Sequence, residues 1–300
     1  MKRLYVSFLA MFKGNKYLIA RRLCQFGLLF AFAGATWWGL PLVKGTLASS
    51  LWFGLLPLSD PFMVLQSIAA RHPVALPGLI GALLIIAFYA LVGGRAFCGW
   101  VCPINLVSDL AQGLRRALGW KKANILKIDK RLRYVLLVAS LLFSFGAGVV
   151  AWELINPITL TYRATVFGLW VGGLTAALGI FLFDFLLLSN GWCSYLCPVG
   201  AFYGLAGKKS VVHVSAVDRA ACTNCGDCFR YCPEPHVISP ALRGIKGHGI
   251  DIDHIDCLRC GRCIDVCEDR VFAFTAKAPV RLNTAILQDN AQQTKAHPGE

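Results

Sequence analysis

Four stretches of the chain run without a charged residue for about the length of a bilayer crossing. Arg22 and Lys44 bound residues 23–43, Arg71 and Arg95 bound 72–94, Arg133 and Glu153 bound 134–152, and Arg163 and Asp184 bound 164–183. About 20 helical residues cross the ~30 Å hydrocarbon core of a membrane. The pattern predicts four membrane-crossing helices, at about 23–43, 73–94, 134–152 and 164–188. A fifth uncharged run, 45–59, is too short to cross; it contains Pro57 and several small residues and reads as an interfacial segment.

The polar positions between these runs set a direction. Residues 1–22 hold six Lys or Arg, 44–71 hold two, 95–133 hold nine, 153–165 hold only Arg163, and twelve follow the last run. Positive segments stay cytoplasmic. Both termini and the middle loop are therefore expected inside, in a multi-pass protein of the bacterial inner membrane, with two short loops facing out. No small-residue cleavage site stands out after the first run, which argues against a signal peptide. The Trp37-Trp38 pair suits an interfacial belt, and Cys24 a packed apolar position.

The chain also repeats itself. Cys98-Gly-Trp-Val-Cys102-Pro recurs as Cys193-Ser-Tyr-Leu-Cys197-Pro at an offset of 95, and Asp60-Pro61 recurs as Asn156-Pro157 at an offset of 96. Each unit reads span, outer loop with Asx-Pro, span, CxxxCP at the inner face. Parallel repeats of this kind imply a pseudo-two-fold axis along the membrane normal. That axis sets Cys98, Cys102, Cys193 and Cys197 at one depth. Converged, they form a third metal or iron–sulfur site; apart, they are redox-active thiol pairs or plain helix-end cysteines.

Composition agrees with a membrane protein: 56% hydrophobic, 15% charged, mean hydropathy +0.58, where soluble domains are nearer a quarter charged. The net charge of +14 sits beside apolar runs, so nucleic acid is not the expected partner. Thirteen cysteines, twelve of them in close groups, read as metal or cluster ligands in a reducing compartment rather than as disulfides.

The strongest chemistry lies near the C-terminus. Residues 222–232 and 257–267 both follow C-x2-C-x2-C-x3-C, the bacterial two-cluster ferredoxin spacing, in which the fourth cysteine ligates the other cluster. One [4Fe–4S] cluster is then assigned Cys222, Cys225, Cys228 and Cys267, and the other Cys257, Cys260, Cys263 and Cys232. Gly226 and Gly261 leave room for backbone N–H groups near cluster sulfur. Cys232 is followed by proline but Cys267 by Glu268, a departure that removes no ligand. Zinc knuckles pair two CxxC units at longer separation, so this doubled pattern points away from zinc. Lys208, Lys209 and Arg219 are placed to meet anionic lipid headgroups. The fold expected is an all-α membrane protein built of duplicated two-helix units with a small α+β ferredoxin-like domain. Its segments are a cytoplasmic 1–22, a four-span domain 23–207, the ferredoxin-like domain 208–280 and a flexible tail 281–300.

Four spans, two CxxxCP motifs and two cluster runs together resemble the NapH-type membrane ferredoxin subunits of periplasmic nitrate reductase systems. The resemblance runs over residues 20–275 and rests on Leu23-Cys-Gln, Asp60-Pro-Phe-Met-Val-Leu-Gln66, Arg133-Tyr-Val-Leu-Leu, Trp152-Glu-Leu-Ile-Asn-Pro157, Gly191-Trp-Cys-Ser-Tyr-Leu-Cys-Pro-Val-Gly200 and Cys232-Pro-Glu-Pro-His236. It implies a quinol dehydrogenase component that passes electrons to a periplasmic NapG-type ferredoxin subunit and on to a c-type cytochrome or the nitrate reductase. NosR-type and CcoG-type proteins share the cysteine motifs, so a redox-sensing or maturation factor and a CcoG-like metal reductase stand as alternatives.

Quinol oxidation needs an apolar slot, a redox centre nearby and proton acceptors. Asp60, His72, Glu153 and Asn156 stand near the outer ends of the spans, beside Gln66, and are the proton candidates; each alone also reads as a solvated or headgroup-level residue. Asp184, within Phe181-Leu-Phe-Asp-Phe-Leu, faces the bundle interior or pairs with a basic group such as Arg95.

Overall fold

The computed structural model describes residues 15–39, 43–120, 125–168, 170–245 and 248–276. The predicted tail 281–300 lies outside them. Helix α1 (Lys16–Trp37) begins seven residues before the predicted span. Its first amides need acceptors, and the Asp265 carboxylate supplies them, accepting from Tyr17 N at 3.2 Å and Leu18 N at 2.9 Å. The helix thus starts where a residue from the far end of the chain caps it, not where charge ends. It stops at Trp37, short of the predicted residue 43, and Gly39 follows at φ +65°. Trp37 and Trp38 are exposed, with Trp37 Nε1 donating to the Val166 carbonyl.

The segment read as interfacial is instead an antiparallel sheet, β1 (Val43–Gly45), β2 (Ser49–Trp52) and β3 (Leu56–Ser59), in the order β1-β2-β3. Pro57 fits because β3 is an edge strand. Helices α2 (Pro61–Ala69), α3 (Leu76–Val92), α4 (Ala96–Trp100) and α5 (Pro103–Ala117) complete the first half. The second half holds α6 (Leu132–Ala147), α7 (Ala151–Ile155), α8 (Pro157–Phe167), α9 (Trp170–Leu182) and α10 (Pro198–Ala206), with π-helical turns at Phe183–Leu187 and Trp192–Leu196.

The predicted third span, 134–152, is cut at Gly148, and the fourth, 164–188, straddles a break at Gly168; both glycines sit in the left-handed region, where helices end. Among the described residues, α1 alone is long and apolar enough to cross a membrane. Leu76–Val92, Leu132–Ala147 and Val171–Leu187 are shorter apolar helices.

The duplication is visible as paired caps. Asp60 and Asn156 cap α2 and α8 in the same way, each side chain accepting from the amide two residues on, with proline at the first helical position. Cys102 and Cys197 occupy the equivalent cap positions of α5 and α10, again followed by proline.

The C-terminal unit pairs β4 (Val212–Ala216) with β5 (Phe272–Ala276) in antiparallel register. Between them lie α11 (Asp227–Tyr231), a 3₁₀ turn at Pro235–Val237, α12 (Ile238–Arg243) and α13 (Arg262–Asp265). Gly226 and Gly261 cap α11 and α13 at φ +83° and +72°. Arg219 donates to the Gly249 carbonyl at 2.6 Å, and Lys208 and Lys209 are exposed.

The ends of α3 and α10 cross at backbone contact: a Cβ on Gly94 falls onto the Tyr203 carbonyl, and one on Gly207 falls onto Gly94. Gly94→Ala is therefore expected to lower stability by about 1–3 kcal/mol, the usual cost of overpacking. Gly113→Ala on the open side of α5, where nothing lies within 4 Å, should raise it by about 0.5–1 kcal/mol. Thermal denaturation of the purified protein in detergent checks both.

Candidate metal centres and an adjoining cavity

The cysteines of the two C-terminal runs gather in two sets of four, and the sets interleave the runs. Burial pushes the Cys228 thiol up to about 11, and Cys222, Cys225 and Cys267 push it the same way. Burial likewise raises Cys263, where the acting neighbours are Cys260, Cys232 and Cys257, then Cys228 from the first set. Cys232 responds to burial, then to Cys260 and Cys257. The first set surrounds a cavity of about 60 Å³, and its Cys225 is exposed. In the second set Cys257 and Cys260 are buried.

The described cysteine sulfurs stand farther apart than the ligands of a single zinc ion. Tetrahedral zinc with Zn–S near 2.3 Å brings thiolates to ~3.8 Å. Among the described residues no three cysteine sulfurs lie within 4.8 Å of one another; the one group of three ligand atoms that close is His236, His254 and Asp256. That group is already balanced by cations, since Asp256 pairs with Arg133 and Arg95, and Lys130 Nζ stands 2.9 Å from His236 Nδ1.

The four CxxxCP cysteines form a third gathering. Cys98, Cys102 and Cys197 are buried in one core cluster that also holds Cys260. Cys193 is influenced by burial, then by Asp184 and by each of the other three thiols. Burial pushes Cys197 up to about 12, with Cys98 the next cause. Gly99, inside the first motif, packs on the second ferredoxin run: a Cβ there sits 3.0 Å from the Leu258 carbonyl and 3.4 Å from Cys260 Cβ. Trp100 Nε1 donates to the Arg259 carbonyl at 2.9 Å. The thiols thus form a file, from the CxxxCP gathering to the second set to the first set at the surface.

Arg95 binds the file together. It is fully buried and donates to Cys193 O at 2.9 Å, Asp256 O at 3.0 Å and Glu234 Oε1 at 3.1 Å. Glu234 follows Cys232 and also pairs with Lys130; Asp256 precedes Cys257 and also pairs with Arg133. Burial opposes ionisation of Glu234, but Arg95 and Lys130 outweigh it and hold the carboxyl below its ordinary value.

On the other side of the CxxxCP thiols lies a largely apolar cavity of about 150 Å³, walled by Phe97 and Val101 of the first motif and by Phe32, Tyr89 and Trp52. Its polar groups include Asp60, Asn156, Thr159 and Tyr203. Tyr203 hydroxyl donates to Asp60 Oδ1 at 3.2 Å, and its ring stacks on Phe97 at 4.6 Å. Burial pushes the Asp60 carboxyl up to about 6, with Glu153 adding to the shift against the hydrogen bond from Phe62 N. Asn156 Nδ2 donates to Glu153 Oε2 at 3.1 Å.

Of the proton candidates, Asp60, Glu153 and Asn156 come together and His72 and Asp184 do not. His72 is exposed, 3.0 Å from the Gly148 carbonyl. Asp184 is fully buried and accepts from Trp192 N at 3.0 Å; its expected partner Arg95 is engaged elsewhere. Gln66 is buried, accepting from Trp152 N. Tyr203 was not among the residues singled out from the sequence, because a tyrosine in an apolar helix carries no signal of its own.

Fold and site define an iron–sulfur electron-transfer protein of the ferredoxin type, carrying two [4Fe–4S] clusters. Comparison with known proteins gives the family. A 4Fe–4S dicluster domain matches residues 221–271, and a second family, described as a 4Fe–4S binding domain, matches twice, at 74–121 and 169–215; each of those matches contains one CxxxCP motif. The chain is 44% identical over 266 residues to the ferredoxin-type protein NapH of Escherichia coli and 46% over 264 to that of Haemophilus influenzae, covering 88% of this chain and 91% of each relative. It is 49% identical over 232 residues to the methylamine utilization ferredoxin-type protein MauN of Methylorubrum extorquens, covering 77% of this chain and 80% of that one. No solved structure matches. The chain belongs to the NapH-type family of ferredoxin proteins.

Removing the Arg95 guanidinium leaves Glu234 and Asp256 short of a buried partner, a change that costs about 3–5 kcal/mol in comparable pairs. Arg95→Leu is expected to lower the temperature at which cluster absorbance bleaches and to reduce iron content. Arg95→Lys, which keeps the charge and loses the fork, should fall between.

Proposed function

We propose that the protein is a membrane-embedded quinol-oxidising subunit whose electrons leave for a periplasmic nitrate reductase system. The observation that carries this reading is the contact between the Asp60 cavity and the file of thiols: an apolar pocket bearing one poised carboxylate adjoins the CxxxCP cysteines, which adjoin the second ferredoxin set.

Quinol must lose two electrons and two protons. Asp60, ionised above pH ~6, accepts a proton, and the Tyr203 hydroxyl orients its carboxylate. Asn156 and Glu153 extend the polar edge along which the proton moves outward. Phe97 and Val101 wall the pocket off from water on the thiol side. The eight ferredoxin cysteines hold the two clusters with crossed ligation, Cys222, Cys225, Cys228 and Cys267 against Cys257, Cys260, Cys263 and Cys232. Cys98, Cys102, Cys193 and Cys197 hold a third iron–sulfur or other metal centre. These groups supply one-electron relays when bound.

The four-span topology belongs to the same reading. Its support is the apolar exposure of the shorter helices: Leu83 and Phe88 on α3, Leu142 and Phe143 on α6, Val171 and Leu174 on α9. A 17-residue helix such as α3 rises about 26 Å, a few ångströms under the ~30 Å core, a mismatch that local thinning accommodates. The clusters then lie at the cytoplasmic face, and the third centre is the step into the bilayer. The periplasmic partner is a NapG-type ferredoxin subunit, with a c-type cytochrome or the nitrate reductase beyond it. The larger share of chain aligned with NapH, 88% against 77% for MauN, favours nitrate over methylamine metabolism.

Quinol added to membranes should reduce [4Fe–4S] centres seen by electron paramagnetic resonance; a protein whose centres stay oxidised is not a quinol oxidiser. The initial rate should rise with pH through about 6 as Asp60 ionises, and Asp60→Asn should be slow and lack that rise. Iron and sulfide analysis tests the third centre. Wild type should hold more than the about eight irons of two clusters, and Cys98→Ser with Cys193→Ser should remove the excess.

A further inference from the structure

A buried guanidinium that makes no hydrogen bond lies beside the second ferredoxin set. Arg21, near the start of α1, is fully buried, and its Nε, Nη1 and Nη2 make no hydrogen bond among the described residues. Its nearest acid is Asp109 on α5, at 3.6 Å. The Asp109 oxygens are already taken: Oδ2 accepts from Arg22 Nη2 at 2.5 Å, and Oδ1 from Arg262. Three arginines therefore surround one carboxylate, a local surplus of two positive charges. An isolated buried charge is too costly to persist, so a counter-charge belongs beside it.

The counter-charge is close at hand. Arg262 stands between Cys260 and Cys263 in the sequence, and Cys260 is among the groups acting on both Arg21 and Arg262. Tyr17, one turn before Arg21, packs on Gly261 so tightly that a Cβ there would lie 2.6 Å from its ring. The first helix of the chain is thus pressed against the loop that carries Cys257, Cys260 and Cys263. An oxidised [4Fe–4S] core carries two positive charges and its four thiolates four negative ones, a net of two negative, which matches the arginine surplus. The first set has no such cage. Its cavity is lined by one arginine, Arg243, and one aspartate, Asp269, and Cys225 is exposed to water.

We propose that Arg21 is a positioning residue for the second cluster: it donates to the cluster's sulfurs and makes that centre the higher-potential member of the pair, the one on which a single electron rests. This rests on the assignment of Cys257, Cys260, Cys263 and Cys232 to one cluster. Positive charge and hydrogen bonds to sulfur raise such potentials and burial lowers them, since reduction adds negative charge; at the inner centre the arginines supply the first two and outweigh the third.

The test is a redox titration of the full-length protein in membranes, read by electron paramagnetic resonance. Cys225→Ser identifies the signal of the outer centre. Arg21→Gln should lower the midpoint of the other centre, with its reduced-to-oxidised ratio at fixed potential falling about tenfold, which is 59 mV for one electron. The outer midpoint should stay in place, and Arg21→Lys should shift the inner one less. Asp109→Asn, which leaves one more uncompensated positive charge, should move the same midpoint upward. Opposite shifts from two neighbours are not produced by loosened packing. Unmoved midpoints in Arg21→Lys and Asp109→Asn, or a downward shift in Asp109→Asn, overturn the proposal, and those two variants decide it if Arg21→Gln fails to take up iron. A wild type with fewer than two [4Fe–4S] signals instead overturns the cysteine assignment.

Discussion

The buried guanidinium of Arg95 is the interaction on which the arrangement of the molecule depends. It sits three residues before Cys98, touches the carbonyl of Cys193, and meets Glu234 and the Asp256 backbone beside Cys232 and Cys257. One side chain therefore joins both CxxxCP motifs to both ferredoxin runs. Taking a guanidinium and two carboxylates out of water is expensive and is offset only where every group finds a partner. Lys130 and Arg133 complete the set. A network of this kind is more a device for fixing geometry than a source of net stability. Here the geometry fixed is the closeness of the cysteine groups to one another.

The parts of this arrangement legible in the sequence were those encoded locally. The C-x2-C-x2-C-x3-C runs were read from residue spacing, and the resemblance to NapH-type proteins from local stretches such as Trp152–Pro157 and Cys232–His236. Asp60-Pro and Asn156-Pro were read as a repeated feature of two outer loops; that each starts a helix shows only in the structure. Span limits were less legible. Charge-free runs report where a helix can lie in lipid, but α1 starts where Asp265 caps it, and Gly168 divides a run that hydropathy left whole. The β-sheet at 43–59 was hidden because its strands are only three or four residues long, too short to show an alternating pattern, and an apolar strand and an interfacial segment look alike over such a length. Asp184 was recognised as unusual, yet its partner was not, since a buried charge advertises its need and not its address.

Tyr203 marks the limit of such reading. Nothing about a tyrosine in Pro198–Ala206 distinguishes it until the fold stacks it on Phe97 and turns its hydroxyl to Asp60. Its neighbourhood also explains why the two halves, built alike, are not equivalent. The duplicated unit gives Asp60 in one copy and Asn156 in the other, so one half contributes a group that titrates and the other a group that cannot. A duplicated scaffold thereby places a carboxylate on one side of its cavity and an amide on the other.

The capping of α1 by Asp265 bears on how the chain is made. The two groups are 248 positions apart, and a ribosome adding 5–20 residues per second needs about 12–50 s to cover that distance. During that time the first helix is already synthesised while its leading amides have no acceptor and Arg21 has no loop to face. The cluster-binding loops emerge last and complete a helix made first. Docking of the Asp265 segment is then the event that closes the chain upon itself, and a product truncated before it would leave the first helix uncapped.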